Sequence, residues 1–171
     1  KGDINDLKTL PSYGLFKAKY LLIVGAGEIS KADSDAVRRL AGLAVREASR
    51  LGMKSVALEI PSLSKASDGP AEWVQAAAEG VVLGAYRFER YKSEKAKGTK
   101  IERASFSRKK NLAPALFDKA VLRGSTMGEA ANFTRDLVNT PPKDMTPTIL
   151  ATEALKLSQL PGLSVKVYSY A

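Results

Sequence analysis

Four groups of residues in this 171-residue chain could do chemistry. Gly25-Ala26-Gly27-Glu28-Ile29-Ser30 follows an apolar run, and glycines at a strand exit allow a phosphate to approach the backbone. Ser30 stands where a third glycine belongs, and the next helix starts several residues late, near Asp33. Glu59, the acid that could reach a ribose, lies 32 residues beyond Gly27 rather than the usual ~20. A tight strand-exit turn is therefore the better reading. The carboxylate pairs Asp3 with Asp6 and Asp33 with Asp35 could in principle hold a cation. Acids at a helix start more simply cap it and complement its dipole.

The third group is basic. Ten of the 27 Lys and Arg fall between Tyr86 and Lys110, against three acids, so this segment carries most of the formal charge of +9. Tyr86, Phe88, Tyr91 and Phe106 are interleaved with it. Basic residues among aromatics can hold phosphate backbones and stack bases, so nucleic acid is one candidate partner for segment 86–110. A solvated loop anchored by its aromatics is the other reading. The fourth group is Arg135 and Asp136 at the end of a helix, able to pair with each other or with a neighbouring domain. Trp73, at the start of a helix, reads as a packing anchor.

Composition excludes much else. There is no histidine and no cysteine, which removes imidazole-based triads, His-ligated zinc, thiolate ligands and disulfides. A chain of this length with 44% hydrophobic and 26% charged residues is one ordinary domain with one core. No apolar run approaches the ~18 residues of a membrane helix. No leader-like segment follows Lys1, and a cytoplasmic protein is expected.

The elements that must position these groups follow from periodicity. A short extended piece is expected near 14–17, and Tyr20 to Val24 reads as a buried central strand closed by the glycine turn. Asp33 or Ser34 caps a helix whose Val37, Ala41, Ala44, Val45 and Ala48 recur at helical spacing, with Gly52 as its stop. Val56, Leu58 and Ile60 alternate in a second strand. A helix follows from about Pro70 to Tyr86, with Val74, Ala77, Ala78, Val81 and Ala85 on one side. Ile101 to Phe106 is a third strand. The longest helix runs over Leu116 to Val138 with Ala120, Met127, Ala131, Thr134, Leu137 and Val138 on one side, and Gly124 and Gly128 weaken its continuity. Asn139 can end it in a left-handed conformation, and Pro141-Pro142 stiffen the exit. Thr146-Pro147 starts a last helix over about 147–158, and 163–168 is a final strand. This order predicts an α/β fold: a three-layer αβα sandwich around a mixed, largely parallel sheet.

Five segments then match one family in order: LLIVGAG at 21–27, VRRLAG at 37–42, KSVA at 54–57, AEGVVLGAYRF at 78–88 and NFTRDLVNTP at 132–141. Over roughly 15–168 the chain resembles the amino-terminal domain of the leucyl aminopeptidases. The resemblance implies a macrodomain-like, non-catalytic domain over 1–160, and a strand at 161–171 leading into a catalytic domain. It also raises a macrodomain-like nucleotide binder as an alternative. In the parent, two divalent metals, manganese or zinc, would polarise the scissile carbonyl and activate water for release of amino-terminal residues such as leucine. Partners implied are the chain's own catalytic domain, peptide substrates and a homo-hexamer, with no membrane. The family's signature N-T-D-A-E-G-R-L is absent from this sequence. No catalytic, cofactor-binding or metal-ligating residue is therefore assigned to it, and it is expected to be an inactive piece of its parent, lacking the first strand-helix unit.

Overall fold

The computed structural model describes residues 3–28, 32–60, 69–94, 98–108 and 110–168. The chain divides into two compact units, Lys1–Ala131 and Asn132–Ala171. In the first, strands β1 (Leu7–Pro11) and β2 (Tyr20–Val24) form an antiparallel pair, with Leu7 opposite Val24 and Pro11 opposite Tyr20. Helix α1 (Ser34–Arg50) follows, then β3 (Ser55–Leu58), α2 (Pro70–Ala85) and β4 (Arg103–Phe106). β3 and β4 pair in parallel, Val56 opposite Ala104 and Leu58 opposite Phe106, so α2 lies within the crossover between them. Helix α3 (Pro114–Asn139) begins in the first unit and ends in the second. The second unit continues with α4 (Pro147–Lys156) and a single 3₁₀ turn, Leu157–Gln159. The result is a mixed α/β chain with two small sheets among the described residues.

The ends of α1 are set by the residues that the sequence singles out. Asp33 Oδ1 accepts from the Ala36 amide at 2.7 Å, which satisfies one of the free donors of the first turn. At the other end the Gly52 amide donates to the Ser49 carbonyl and the Met53 amide to the Ala48 carbonyl, at 3.0 and 2.9 Å. This is a Schellman closure, and it requires the left-handed φ of +77° that Gly52 adopts. Between the caps, Val37, Ala41, Ala44, Val45 and Ala48 are buried as their spacing predicts.

Helix α2 is the centre of the first unit. Trp73, Val74, Ala76, Ala77, Ala78, Gly80 and Val81 are all buried, so the helix is covered on more than one side. On one side it meets α1 almost backbone to backbone. A Cβ on Gly80 would sit 2.1 Å from the Arg38 carbonyl oxygen, and one on Gly84 would sit 2.6 Å from Gly42 Cα. On the other side it meets α3, where a Cβ on Gly124 would lie 2.1 Å from the Gln75 carbonyl oxygen and one on Gly128 would lie 2.8 Å from Val82 Cβ. The core around these contacts also holds Ile60, Leu112 and Ala120, with Val56, Leu58, Ala104 and Phe106 of the parallel pair packed against it.

Several expectations are corrected. The extended piece near 14–17 is a turn, with Tyr13 and Gly14 at φ of 49° and 84°, and the pairing strand is β1. β2 is not buried on both faces. Leu21 and Ile23 are half exposed, because β2 pairs only with β1 among the described residues. α3 is continuous, and the glycines expected to weaken it are its buried stripe with Ala120, while Met127 and Val138 face outward. Asn139 does not take a positive φ. Instead the Thr140 amide and hydroxyl both donate to the Asp136 carbonyl, at 3.1 and 2.7 Å, and close the helix without a left-handed residue. The run 163–168 belongs to no ladder among the described residues.

The glycine contacts make a quantitative prediction. Ala would raise helix propensity by about 1 kcal/mol at a solvent-exposed glycine. At Gly80 or Gly124 its methyl would collide with backbone, which no rotamer change relieves, so Gly80→Ala and Gly124→Ala should each destabilise the chain by a net of about 2 kcal/mol. Urea unfolding should show both losses, and an unchanged midpoint would mean that the helices part at little cost.

Candidate functional site

Each sequence-predicted site can be located on these elements. The glycine turn after β2 is tied to the residues just before β1: the Gly25 amide donates to the Asp6 carbonyl at 2.7 Å, and the Asn5 amide to the Gly25 carbonyl at 3.1 Å. Ile4 lies over it, and a Cβ on Gly27 would be 3.2 Å from Ile4 Cγ1. The glycine thus makes room for a side chain of the same chain. The amino terminus of α1, where a phosphate would sit in a dinucleotide fold, is taken by the Asp33 carboxylate. Residues 29–31, including Ser30, lie outside the described residues.

The carboxylate pairs are likewise engaged in structure. Asp35 pairs with Arg38 and with Arg39 on the surface of α1. The Asp3 amide donates to Asp6 Oδ2 at 3.2 Å, which places this pair in a local turn. Trp73 is buried in the core, as an anchor should be.

The basic segment divides by what its cations touch. Arg87 Nη1 donates to the Gly98 carbonyl at 3.1 Å and Nη2 to the Thr99 carbonyl at 3.2 Å. The same Nη2 also bonds the Ser49 hydroxyl. Together with the Thr99 amide, which donates to the Ser49 carbonyl at 2.9 Å, these bonds fasten the segment before β4 onto the end of α1. Arg108 Nη1 donates to the Leu112 carbonyl at 2.7 Å, and Lys54 pairs with Glu102 at 3.1 Å. Arg90 lies over the Tyr91 ring, which in turn leans on Phe88. Residues 95–97 and 109 lie outside the described residues. Arg87 and Arg108, two of the cations read as candidates for a phosphate backbone, therefore hold loops.

A second polar cluster was not singled out from the sequence. Arg50 grips Glu47 as a fork, Nε to Oε2 and Nη2 to Oε1, both at 2.7 Å. The Thr9 hydroxyl donates to the same Oε1 at 2.9 Å, tying β1 to α1. The i, i+3 spacing of Glu47 and Arg50 is the only trace of it in the sequence. Arg46, Arg50 and Arg87 also line one cleft at the ends of α1 and α2. Within the second unit, Arg135 Nη1 donates to Asn132 Oδ1 at 3.2 Å. The Asp144 and Met145 amides close a turn on the Pro141 carbonyl at 2.8 and 2.9 Å, and the Thr146 hydroxyl caps α4 on the Ile149 amide. The junction motif is thus a helix stop, a turn and a helix start in direct succession.

Comparison with known proteins shows the family of the chain. Residues 1–95 match the cytosol aminopeptidase family, N-terminal domain. The chain belongs to the cytosol aminopeptidase family. It is 34% identical over 167 residues to a probable cytosol aminopeptidase of Persephonella marina, covering 98% of this chain and 33% of the relative. A probable cytosol aminopeptidase of Aquifex aeolicus is 33% identical over 168 residues, covering 98% of this chain and 32% of that protein. The chain thus spans about one third of the length of these curated relatives. Among solved structures, the bottromycin maturation enzyme BotP superposes with a TM-score of 0.78 at 27% identity, covering 95% of this chain and 33% of that one. A mutant of tomato leucine aminopeptidase shares the fold, with a TM-score of 0.74 at 23% identity over 92% of this chain and 30% of that one. The cytosol aminopeptidase relationship runs through both units, since these alignments extend beyond Ala131.

The Glu47 cluster gives a pH dependence. The charged hydrogen bonds from Arg50 hold the Glu47 carboxyl below the usual carboxylate range; the Thr9 hydroxyl adds to this and partial burial opposes it. A depressed folded-state pKa means that the unfolded chain takes up the proton first as pH falls. The stabilisation is therefore present above the unfolded value of 4.5 and is lost as pH falls through the folded one. Glu47→Gln should flatten the acid side of the stability profile between about pH 3 and 5, read as urea midpoints, while leaving its slope above pH 6 unchanged.

Proposed function

We propose that this chain is the amino-terminal, non-catalytic portion of a leucyl aminopeptidase, and that the catalytic domain is the portion of the parent it does not span. The observation that carries the reading is the coverage: 98% of this chain aligns with one third of a probable cytosol aminopeptidase. In the parent, two divalent metals would supply Lewis-acid activation of a water and of the peptide carbonyl when bound. The Mn-bound form in which the related BotP enzyme is known supports manganese, with zinc as the other candidate.

The described residues of this chain do not fit such a metal pair. Among the described residues no group of three or more His, Cys, Asp or Glu is placed to share an ion. Three carboxylates of α1 and its cap have other work: Asp33 caps the helix, Asp35 pairs with two arginines and Glu47 is gripped by Arg50. No step of peptide hydrolysis is therefore placed on them, and the role of the domain is to position or shield the catalytic domain and to take part in assembly.

The second unit supports an inter-domain role. Ile149, Leu150, Leu155, Leu160, Leu163 and Val167 are all exposed around α4 and the run that follows. That much apolar surface on a short segment suits contact with a further domain. A macrodomain-like three-layer arrangement, a homo-hexameric parent and a cytoplasmic location complete the proposal. No helix among the described residues is long and apolar enough to cross a membrane.

The test compares two chains. The full-length parent, supplied with manganese, should hydrolyse leucine p-nitroanilide, and the 171-residue chain should not. Metal-dependent turnover by the 171-residue chain alone would overturn the assignment of catalysis to the rest of the parent.

A further inference from the structure

We propose that the cleft between the carboxyl ends of α1 and α2 is a binding site for a small phosphate-class oxyanion, with Arg46 as its principal contact. The cleft has a volume of about 240 Å³ and is lined by Arg46, Ser49, Arg50, Arg87 and Thr99, and by the last backbone turn of α2. Every charged group among these lining residues is a guanidinium, and the two hydroxyls can donate as well as accept. Guanidinium forks match the tetrahedral oxygens of phosphate, and several of them around one space give affinity for multivalent anions.

The three arginines are not equivalent. Arg50 is fixed through Nε and Nη2 on Glu47, and Arg87 through Nη1 and Nη2 on the Gly98 and Thr99 carbonyls. These bonds preorganise two walls of the cleft, so little side-chain entropy is lost there on binding. Arg46 has no hydrogen bond or ion pair among the described residues and is exposed, which leaves its whole fork available to a ligand.

One effect opposes an anion here: helix carboxyl ends carry partial negative charge. At α1 that charge is already answered. Its last carbonyls accept from the Leu51, Gly52 and Met53 amides, and the Ser49 carbonyl accepts from Thr99 as well. The Arg50 charge is offset by Glu47 and that of Arg87 in part by Glu89 at 3.9 Å, so the excess positive charge facing the cleft rests mainly on Arg46.

Size selects the ligand within the class. At about 30 Å³ per water the cleft has room for about eight, enough for phosphate or pyrophosphate. Cofactor pockets begin at about 300 Å³, so a whole dinucleotide is too large.

The proposal rests on this chain's own residues and is independent of where the parent's catalysis lies. Its test is titration of the 171-residue chain with sodium pyrophosphate at constant ionic strength, followed by isothermal calorimetry and by the unfolding midpoint. A saturable signal is expected with pyrophosphate and not with chloride. Arg46→Ala should weaken it by about tenfold, as loss of a charge-assisted contact does, and Arg46→Lys should restore it only in part. Lys119→Ala, on the exposed face of α3, should leave it unchanged. A signal that does not saturate, or one equal in the unsubstituted and the Arg46→Ala chains, would overturn the site. Tighter binding of a dicarboxylate or of a single-stranded oligonucleotide than of pyrophosphate would overturn the assignment of its ligand.

Discussion

The near-contact of backbones on both sides of α2 constrains the rest of the first unit. Gly80 and Gly84 bring α1 in on one side, and Gly124 and Gly128 bring α3 in on the other, each at distances where a single methyl would strike backbone or a branched side chain. Helices that approach this closely leave space between them only for small residues, and the core accordingly contains Ala41, Ala76, Ala77 and Ala120 beside few large side chains. It also fixes polar groups at the seam. Arg38 Nε and Glu79 Oε2, both shielded from solvent, face each other at 3.0 Å across the α1 and α2 contact without the alignment of a hydrogen bond. Attraction between the charges offsets their burial; removing Arg38 would strand Glu79, whereas Arg38 would keep Asp35 as a partner.

From that arrangement follows the importance of the carboxyl end of α1. Gly52 turns the chain toward β3, the Thr99 amide docks on the Ser49 carbonyl, Arg87 reaches back to the Ser49 hydroxyl, and the Glu47 and Arg50 fork receives Thr9 from β1. Elements far apart in sequence are thereby fastened to one helix end. Arg87, one cation of the basic segment that reads as a surface for nucleic acid, is spent on this work, since it donates to the Gly98 and Thr99 carbonyls.

What was legible in the sequence was whatever depends on neighbours in sequence. The caps of α1 at Asp33 and Gly52, the Pro70 start of α2 and the Thr146 cap of α4 are local chemistry, and they stand where their residue types place them. β3 and β4 were legible because their alternation survives in the burial of Val56, Leu58, Ala104 and Phe106. What was not legible depends on partners. β1 carries a lysine, a threonine and a proline among two leucines and gains its strand character only from β2. Gly124 and Gly128 look like defects in a lone helix and become its contact face once α2 lies against it. The Arg46, Arg50 and Arg87 cleft joins residues from α1 with one beyond α2, a grouping that spacing along the chain cannot announce.

The family relationship was legible for a different reason, and its physical content is narrower than its diagnostic value. The segment 132–141 was part of the resemblance read from the sequence, and within this chain the stretch from Asp136 to Thr146 does three simple things. Thr140 closes α3 on the Asp136 carbonyl, Pro141 begins a turn closed by Asp144 and Met145, and Thr146 opens α4. None of these needs Arg135 or Asp136 in particular, since the contacts that close the helix run through a backbone carbonyl. Asp136 serves the stop through its backbone carbonyl, and Arg135 bonds Asn132 one turn earlier on α3, so the motif acts through local contacts of the helix end itself.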